Sequence, residues 1–152
     1  MWIVLTACST SRLAVQSTPA YPDLFISMRR EPCFGTCPYY TLEIHADGTV
    51  DYEGLGSVKI EGKQSTTLNA EQIQELVKAI EETNFFLLDD QYLEPAIDFP
   101  SVTLTITLNG QTRSIQHYGM FNCTDYYQDT QHKLCRLEDK IDEVTKSSQW
   151  VK

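Results

Sequence analysis

Apolar and polar residues alternate along several stretches of this chain and recur with helical spacing along two others. Residues 24–29 form an expected first strand, followed by the loop REPCFGTCP. In residues 39–45, Tyr40, Leu42 and Ile44 share one face, and Ala46-Asp47-Gly48 turns the chain into a third strand at 49–53. A two-residue loop would set Ile44 against Asp51 and mix core and solvent faces. A three-residue loop with Gly48 left-handed pairs Ile44 with Val50 and Leu42 with Tyr52, and this is the register expected. A further turn through Gly54-Leu55-Gly56 leads to a fourth strand at 57–61. It would place Val58 opposite Tyr52, Ile60 opposite Val50, and Lys59 across from Asp51, where it offsets the like-charge pair of Glu43 and Asp51.

The period then changes. Asn69 is an N-cap with Gln72 in the capping-box position, Leu68 and Ile73 form a hydrophobic staple, and Ile73, Leu76, Val77 and Ile80 mark one helical face ending near Asn84. Phe85 to Leu88 are expected to plug the open end of the core, and residues 89–100 to form a surface loop. Val102, Leu104, Ile106 and Leu108 alternate with polar positions up to Asn109-Gly110, a type I′ hairpin signal, and residues 112–118 return. Leu134, Leu137, Ile141 and Val144 mark a last helix over about 129–146, with Trp150 packing back. The expected order is ββββαββα, an α+β domain whose antiparallel sheet carries two helices on one face.

Three segments follow from this reading: residues 1–7 as a truncated signal, 8–22 as a polar, proline-interrupted tether, and 23–152 as the single folded domain. A chain of 152 residues is long enough for one sizeable core. The net charge of −9 argues against nucleic acid, because phosphate binding needs clustered Lys and Arg. No run of eighteen apolar residues occurs, so no membrane-crossing helix is expected.

Five cysteines change the picture: Cys8, Cys33, Cys37, Cys123 and Cys135. The opening MWIVLTACSTS sets small residues before Cys8 and resembles a bacterial lipoprotein signal. That resemblance implies a lipid on Cys8 and, through Ser9, sorting to the outer membrane with the domain facing the periplasm. The apolar run is short and lacks a basic region; a start further upstream would supply both. The plain alternative is an apolar N-terminus with a free thiol. Removing Cys8 leaves four cysteines, enough for two bridges.

Cys33 and Cys37 flank Gly35 between Pro32 and Pro38, a composition that favours a tight loop over a helix. A bridge there contributes roughly 2 kcal/mol in the chain-entropy model. Two other readings use the same sulfurs: a redox dithiol, which lacks the usual Cys-x-x-Cys spacing, and a metal site completed by His45 or His117. In one continuous helix Cys123 and Cys135 would stand about 18 Å apart, while a disulfide tolerates about 7 Å between α-carbons. If they pair, the helix begins after about Tyr127, with Asp125 or Asp129 as cap. Cys33–Cys37 with Cys123–Cys135 is favoured over the two crossed connectivities. His132 has ligand-like spacing from Cys135, although an exposed helical histidine is the favoured account.

PCFGTCPYYTLEIHADGTVDYEG, the capped helix, NFFLLDDQY and LEDKIDEVTKSSQW together resemble a family of bacterial exported proteins, a domain of unknown function with a Cys-Phe-Gly-Thr-Cys-Pro-x-Tyr signature. The resemblance spans about residues 24–151. It implies that Cys33, Gly35, Cys37, Pro38, Tyr40, Asp47, Gly48 and Asp98 hold motif positions, and it implies no activity. The segment FNCTDYYQDTQHKLC departs from the family pattern, so Cys123 and Cys135 look like an addition.

Three functions remain in view. The first is a non-catalytic binding module tethered to the membrane through Cys8, meeting an envelope protein or small molecule through exposed aromatics such as Tyr39, Tyr126 and Tyr127. The second is an envelope hydrolase, for which Asp98, His117 and Asp47 are the available groups. Strand period puts Arg113 and His117 beside Ile115, on the face where a polar group needs a partner, and Asp98 could be that of His117. The third is a metal or thiol module at Cys33 and Cys37. No cofactor motif occurs: there is no Gly-x-Ser-x-Gly, paired-His or phosphate-loop pattern.

Overall fold

A computed structural model describes residues 18–93, 99–119, 123 and 129–152. Among these described residues, seven strands form one mixed sheet in the order β4-β3-β2-β1-β6-β7-β5. The strands are β1 (Phe25–Arg30), β2 (Tyr39–His45), β3 (Thr49–Gly56), β4 (Gly62–Thr67), β5 (Gln91–Tyr92), β6 (Ser101–Leu108) and β7 (Gln111–Tyr118). Helices α1 (Ala70–Thr83), α2 (Asp129–Thr145) and the short α3 (Ser148–Val151) accompany them, with a 3-10 turn at Phe85–Leu87. The α+β class holds. The order ββββαββα gains a strand and a third helix, and the sheet is mixed because β5 runs parallel to β7.

The first hairpin has the expected register. Ile44 faces Val50 and Leu42 faces Tyr52, and Gly48 sits at φ +87°. A side chain at Gly48 would bring its Cβ to 2.4 Å from the Leu68 carbonyl oxygen, the same oxygen-bearing residue whose N–H donates to the Gly48 carbonyl at 2.8 Å. Asn109 and Gly110 both have positive φ, as a type I′ turn requires. Their N–H groups donate to the carboxylate of Asp23.

The fourth strand lies elsewhere than expected. Residues 57–60 do not pair with β3; Gly62–Thr67 does, setting Tyr52 against Gln64, Val50 against Thr66 and Asp51 against Ser65. The cause is long-range. Val58 and Ile60 pack against the core, and the Ile60 and Lys59 N–H groups donate to the Trp150 and Val151 carbonyls at the chain's end. The Tyr52 hydroxyl donates to the Ile60 carbonyl at 3.1 Å. This crossing needs Gly54, where a Cβ would lie 2.2 Å from the Ile60 oxygen. Lys59 is therefore not the neighbour of Asp51; His45 Nε2 lies 3.1 Å from its carboxylate.

The alternating faces of β1, β2, β3, β6 and β7 bury Ile26, Met28, Tyr40, Leu42, Ile44, Val50, Tyr52, Val102, Leu104, Ile106, Leu108 and Ile115 beneath Leu76, Ile80, Leu134, Leu137 and Ile141 of the helices. Each such side chain contributes about 1.5–3 kcal/mol. The capping box of α1 is formed, with the Asn69 side chain accepting from the Gln72 N–H and the Gln72 side chain from the Asn69 N–H. Phe85 is buried as a plug, whereas Leu87 points outward. Residues 89–100 are more than a loop, since Gln91 and Tyr92 extend the sheet. Trp150 packs back as expected, stacking 5.0 Å from the Tyr52 ring.

Candidate functional site

Strand direction gives the domain two poles. Phe25 pairs with His45 and Thr107 at the end where the chain enters. Arg30 pairs with Tyr40 and Val102 at the other end, and Val102 with His117. Six residues of β1 separate the poles by about 20 Å. The Cys33–Cys37 loop follows directly after Arg30, so it stands at the pole away from the entry.

Beneath that pole lies a chain of buried charges. Strand period places Arg30 on the same face as Ile26 and Met28, and it projects toward α2. Its guanidinium donates to the Tyr40 hydroxyl at 2.9 Å, to Glu138 at 3.2 Å and to Asp142 at 2.9 Å. Asp142 also accepts from Tyr40 at 2.9 Å and from the Ser147 hydroxyl at 2.5 Å. Glu138 bonds to His117, and both are shielded from solvent, at 1% and 0% exposure. Burial opposes the charge on Arg30, but Glu138, then Tyr40 and Asp142, hold it charged and raise its pKa. Burial likewise raises Tyr40, with Arg30 opposing and Asp142 reinforcing the shift, so the phenol stays protonated and donates.

A cleft of about 190 Å³ opens beside this network, lined by Arg30, Tyr40, Asp142 and Ser147 together with Cys37, Asp139 and Lys152. The donors of Arg30 are already engaged inside the network, so the arrangement serves mainly to lock β1, β2 and α2 together. Removing one partner would strand buried charge.

The sulfurs of Cys33 and Cys37 lie within bonding distance, as do those of Cys123 and Cys135, with α-carbons 5.5 Å apart in each pair. The favoured connectivity is the one the geometry contains. The 5.5 Å between the α-carbons of Cys123 and Cys135 excludes one continuous helix through both, and α2 spans Asp129–Thr145. At the tip of the first loop Phe34 is 94% exposed, and Gly35 adopts φ +144°. Nearby on the chain's distal side, Arg29 stacks 5.0 Å over the Tyr39 ring and its guanidinium donates to the Tyr39 hydroxyl.

Of the residues singled out in the sequence, His117 is buried on Glu138, while Asp47 lies at the opposite pole, accepting from the Thr49 N–H at 2.9 Å. That hydrogen bond is the chief cause of a lowered Asp47 pKa. His45 pairs with Asp51 on the open sheet face, away from Cys33 and Cys37. Arg113 finds its partners in the Leu88 carbonyl and Asp90. Cys8, Ser9, Asp98, Asp125, Tyr126 and Tyr127 fall outside the described residues. Sequence reasoning missed Glu138, although its spacing of four from Leu134 places an acid on a buried helical face. Asp142 is one turn further along.

No curated protein matches the chain. A family model described as a domain of unknown function (DUF6438) matches residues 24–145. That span covers most of the 152 residues, including both hairpins, the capped helix and α2. The chain belongs to this family of domains of unknown function.

Proposed function

We propose that this is a bacterial exported lipoprotein, held to the outer membrane through a lipid on Cys8, whose domain faces the periplasm as a non-catalytic binding module. The observation that carries the binding reading is Phe34, 94% exposed at the tip of a bonded loop on the pole away from chain entry. A single exposed aromatic is common on protein surfaces, so the reading rests on where this ring stands: at the tip of a loop closed by a bond, away from chain entry. Bracing the loop before contact removes part of the ordering entropy that binding otherwise costs, and buried aromatics dominate interface energetics. An N-terminal tether at the opposite pole leaves Phe34 directed toward partners rather than toward the anchor. The signature Cys-Phe-Gly-Thr-Cys-Pro-x-Tyr then specifies the brace, the contact residue and Tyr40 of the network below.

The partner fitting this loop is an envelope protein with an apolar pocket for one phenyl ring. A hydrolase built on Asp98 and His117 has less support, since the His117 imidazole is committed to Glu138 in the interior. Metal or exchange chemistry at Cys33 and Cys37 is likewise disfavoured by sulfurs at bonding distance. A photoreactive amino acid at position 34 of the full-length protein, irradiated in intact cells, tests the reading. One discrete crosslinked species, absent when the probe stands at Lys63 on the edge strand, is the expected result. Equal, diffuse labelling from both positions would remove the basis for the proposal.

A further inference from the structure

The second cysteine pair has a neighbour that a plain structural bridge does not need. Asp139 Oδ2 lies 3.0 Å from Cys123 Sγ. A bonded sulfur carries no hydrogen and so donates none to the carboxylate. The donor atoms of Cys123, Cys135 and Asp139 all lie within 4.8 Å of one another. Cys135 and Asp139 are one turn apart on α2, while Cys123 arrives from the preceding segment. Both cysteines are buried and Asp139 is exposed at the cleft. Two sulfurs and a carboxylate thus converge from a buried side toward an open one, a donor set of the kind zinc takes with a fourth position left to water.

We propose that reduction of the Cys123–Cys135 bond converts this cluster into a zinc site ligated by Cys123, Cys135 and Asp139. This inference is independent of the binding role assigned to Phe34. A dithiol reductant supplies two electrons and two protons: the S–S bond breaks, two thiols form and the reductant becomes a disulfide. Zn²⁺ then displaces both thiol protons to solvent and binds two thiolates and one carboxylate, leaving a net charge of −1 on the three ligands and the ion. Thiolate sulfur at about 2.3 Å and carboxylate oxygen at about 2.0–2.2 Å from zinc require sulfurs about 3.7 Å apart, which the 5.5 Å between the α-carbons permits through side-chain rotation. The oxidised pair cannot open to that spacing, so one covalent bond gates the site.

The test uses the full-length chain with Cys8→Ser, Cys33→Ser and Cys37→Ser, so that only the pair of interest responds. Protein is reduced with a phosphine, desalted without oxygen, and titrated with Zn²⁺ or Co²⁺. One metal per reduced chain is expected, with thiolate-to-cobalt charge-transfer and tetrahedral d–d bands, and none for oxidised protein. Asp139→Asn should weaken binding by about 100-fold or more, beyond the effect of losing an outer-shell partner. Lys140→Gln, on the same helix, should leave it unchanged, and circular dichroism checks that every variant is folded. No metal on reduced, folded wild-type cysteines, or equal affinity in Asp139→Asn, overturns the proposal.

Discussion

Glu138 is the residue on which the buried network turns. It joins His117 of β7 to Arg30 of β1 from a position on α2 that is 1% exposed. Glu138→Ala leaves Arg30 without its larger compensating charge and is expected to lose about 3–5 kcal/mol, measured by urea unfolding. Ser147→Ala removes one hydrogen bond to Asp142 and should cost about 1 kcal/mol. At the other pole, Asp47 supplies a pH signature. The Thr49 N–H holds its carboxyl below the ordinary value, so its contribution is complete above the unfolded pKa and is lost as pH falls through the lower folded one. Asp47→Asn cannot titrate, and unfolding midpoints recorded between about pH 5 and pH 2 should fall less steeply than in the parent.

Elements whose determinants are local were legible in the sequence. The Asn109-Gly110 hairpin, the three-residue turn through Gly48 and the capping box of α1 each depend on a few adjacent residues, and each formed as expected. Asn69→Ala should accordingly destabilise by about 1 kcal/mol in thermal or urea unfolding. The fourth strand was misplaced because its competitor is distant: residues 57–60 are claimed by Trp150 and Val151, nearly a hundred positions away, and cross over Gly54. Gly54→Ala therefore tests the observed topology, since its Cβ would sit 2.8 Å from the Tyr52 hydroxyl as well as against Ile60. A loss of about 1–3 kcal/mol or more is expected, whereas Gly56→Ala, with nothing within 4 Å, should be tolerated. The two residues of β5 are too short for any periodic signal. Of the network, His117 was singled out from strand period, whereas Arg30 lies one residue beyond the expected first strand and Glu138 was missed; their convergence depends on α2 packing over the distal end of the sheet.

At the scale of the whole molecule, the entry of the chain and the bonded loop occupy opposite ends of one sheet, with the charge network tying the far end to α2. Phe34→Ala is expected to change stability by less than about 0.5 kcal/mol, because the side chain is 94% exposed, while removing capture of the proposed partner. This separation of binding from folding distinguishes a contact residue from a core one. Everything proposed for the far pole requires that its loop be covalently closed where the protein lives. The direct measurement is peptide mapping of the chain isolated from its native cells, with free thiols alkylated in intact cells before lysis. The expected map contains Cys33 joined to Cys37 and Cys123 joined to Cys135, with a lipid mass on Cys8. Alkylated Cys33 and Cys37 in that sample would contradict both the exported setting and the pre-formed loop.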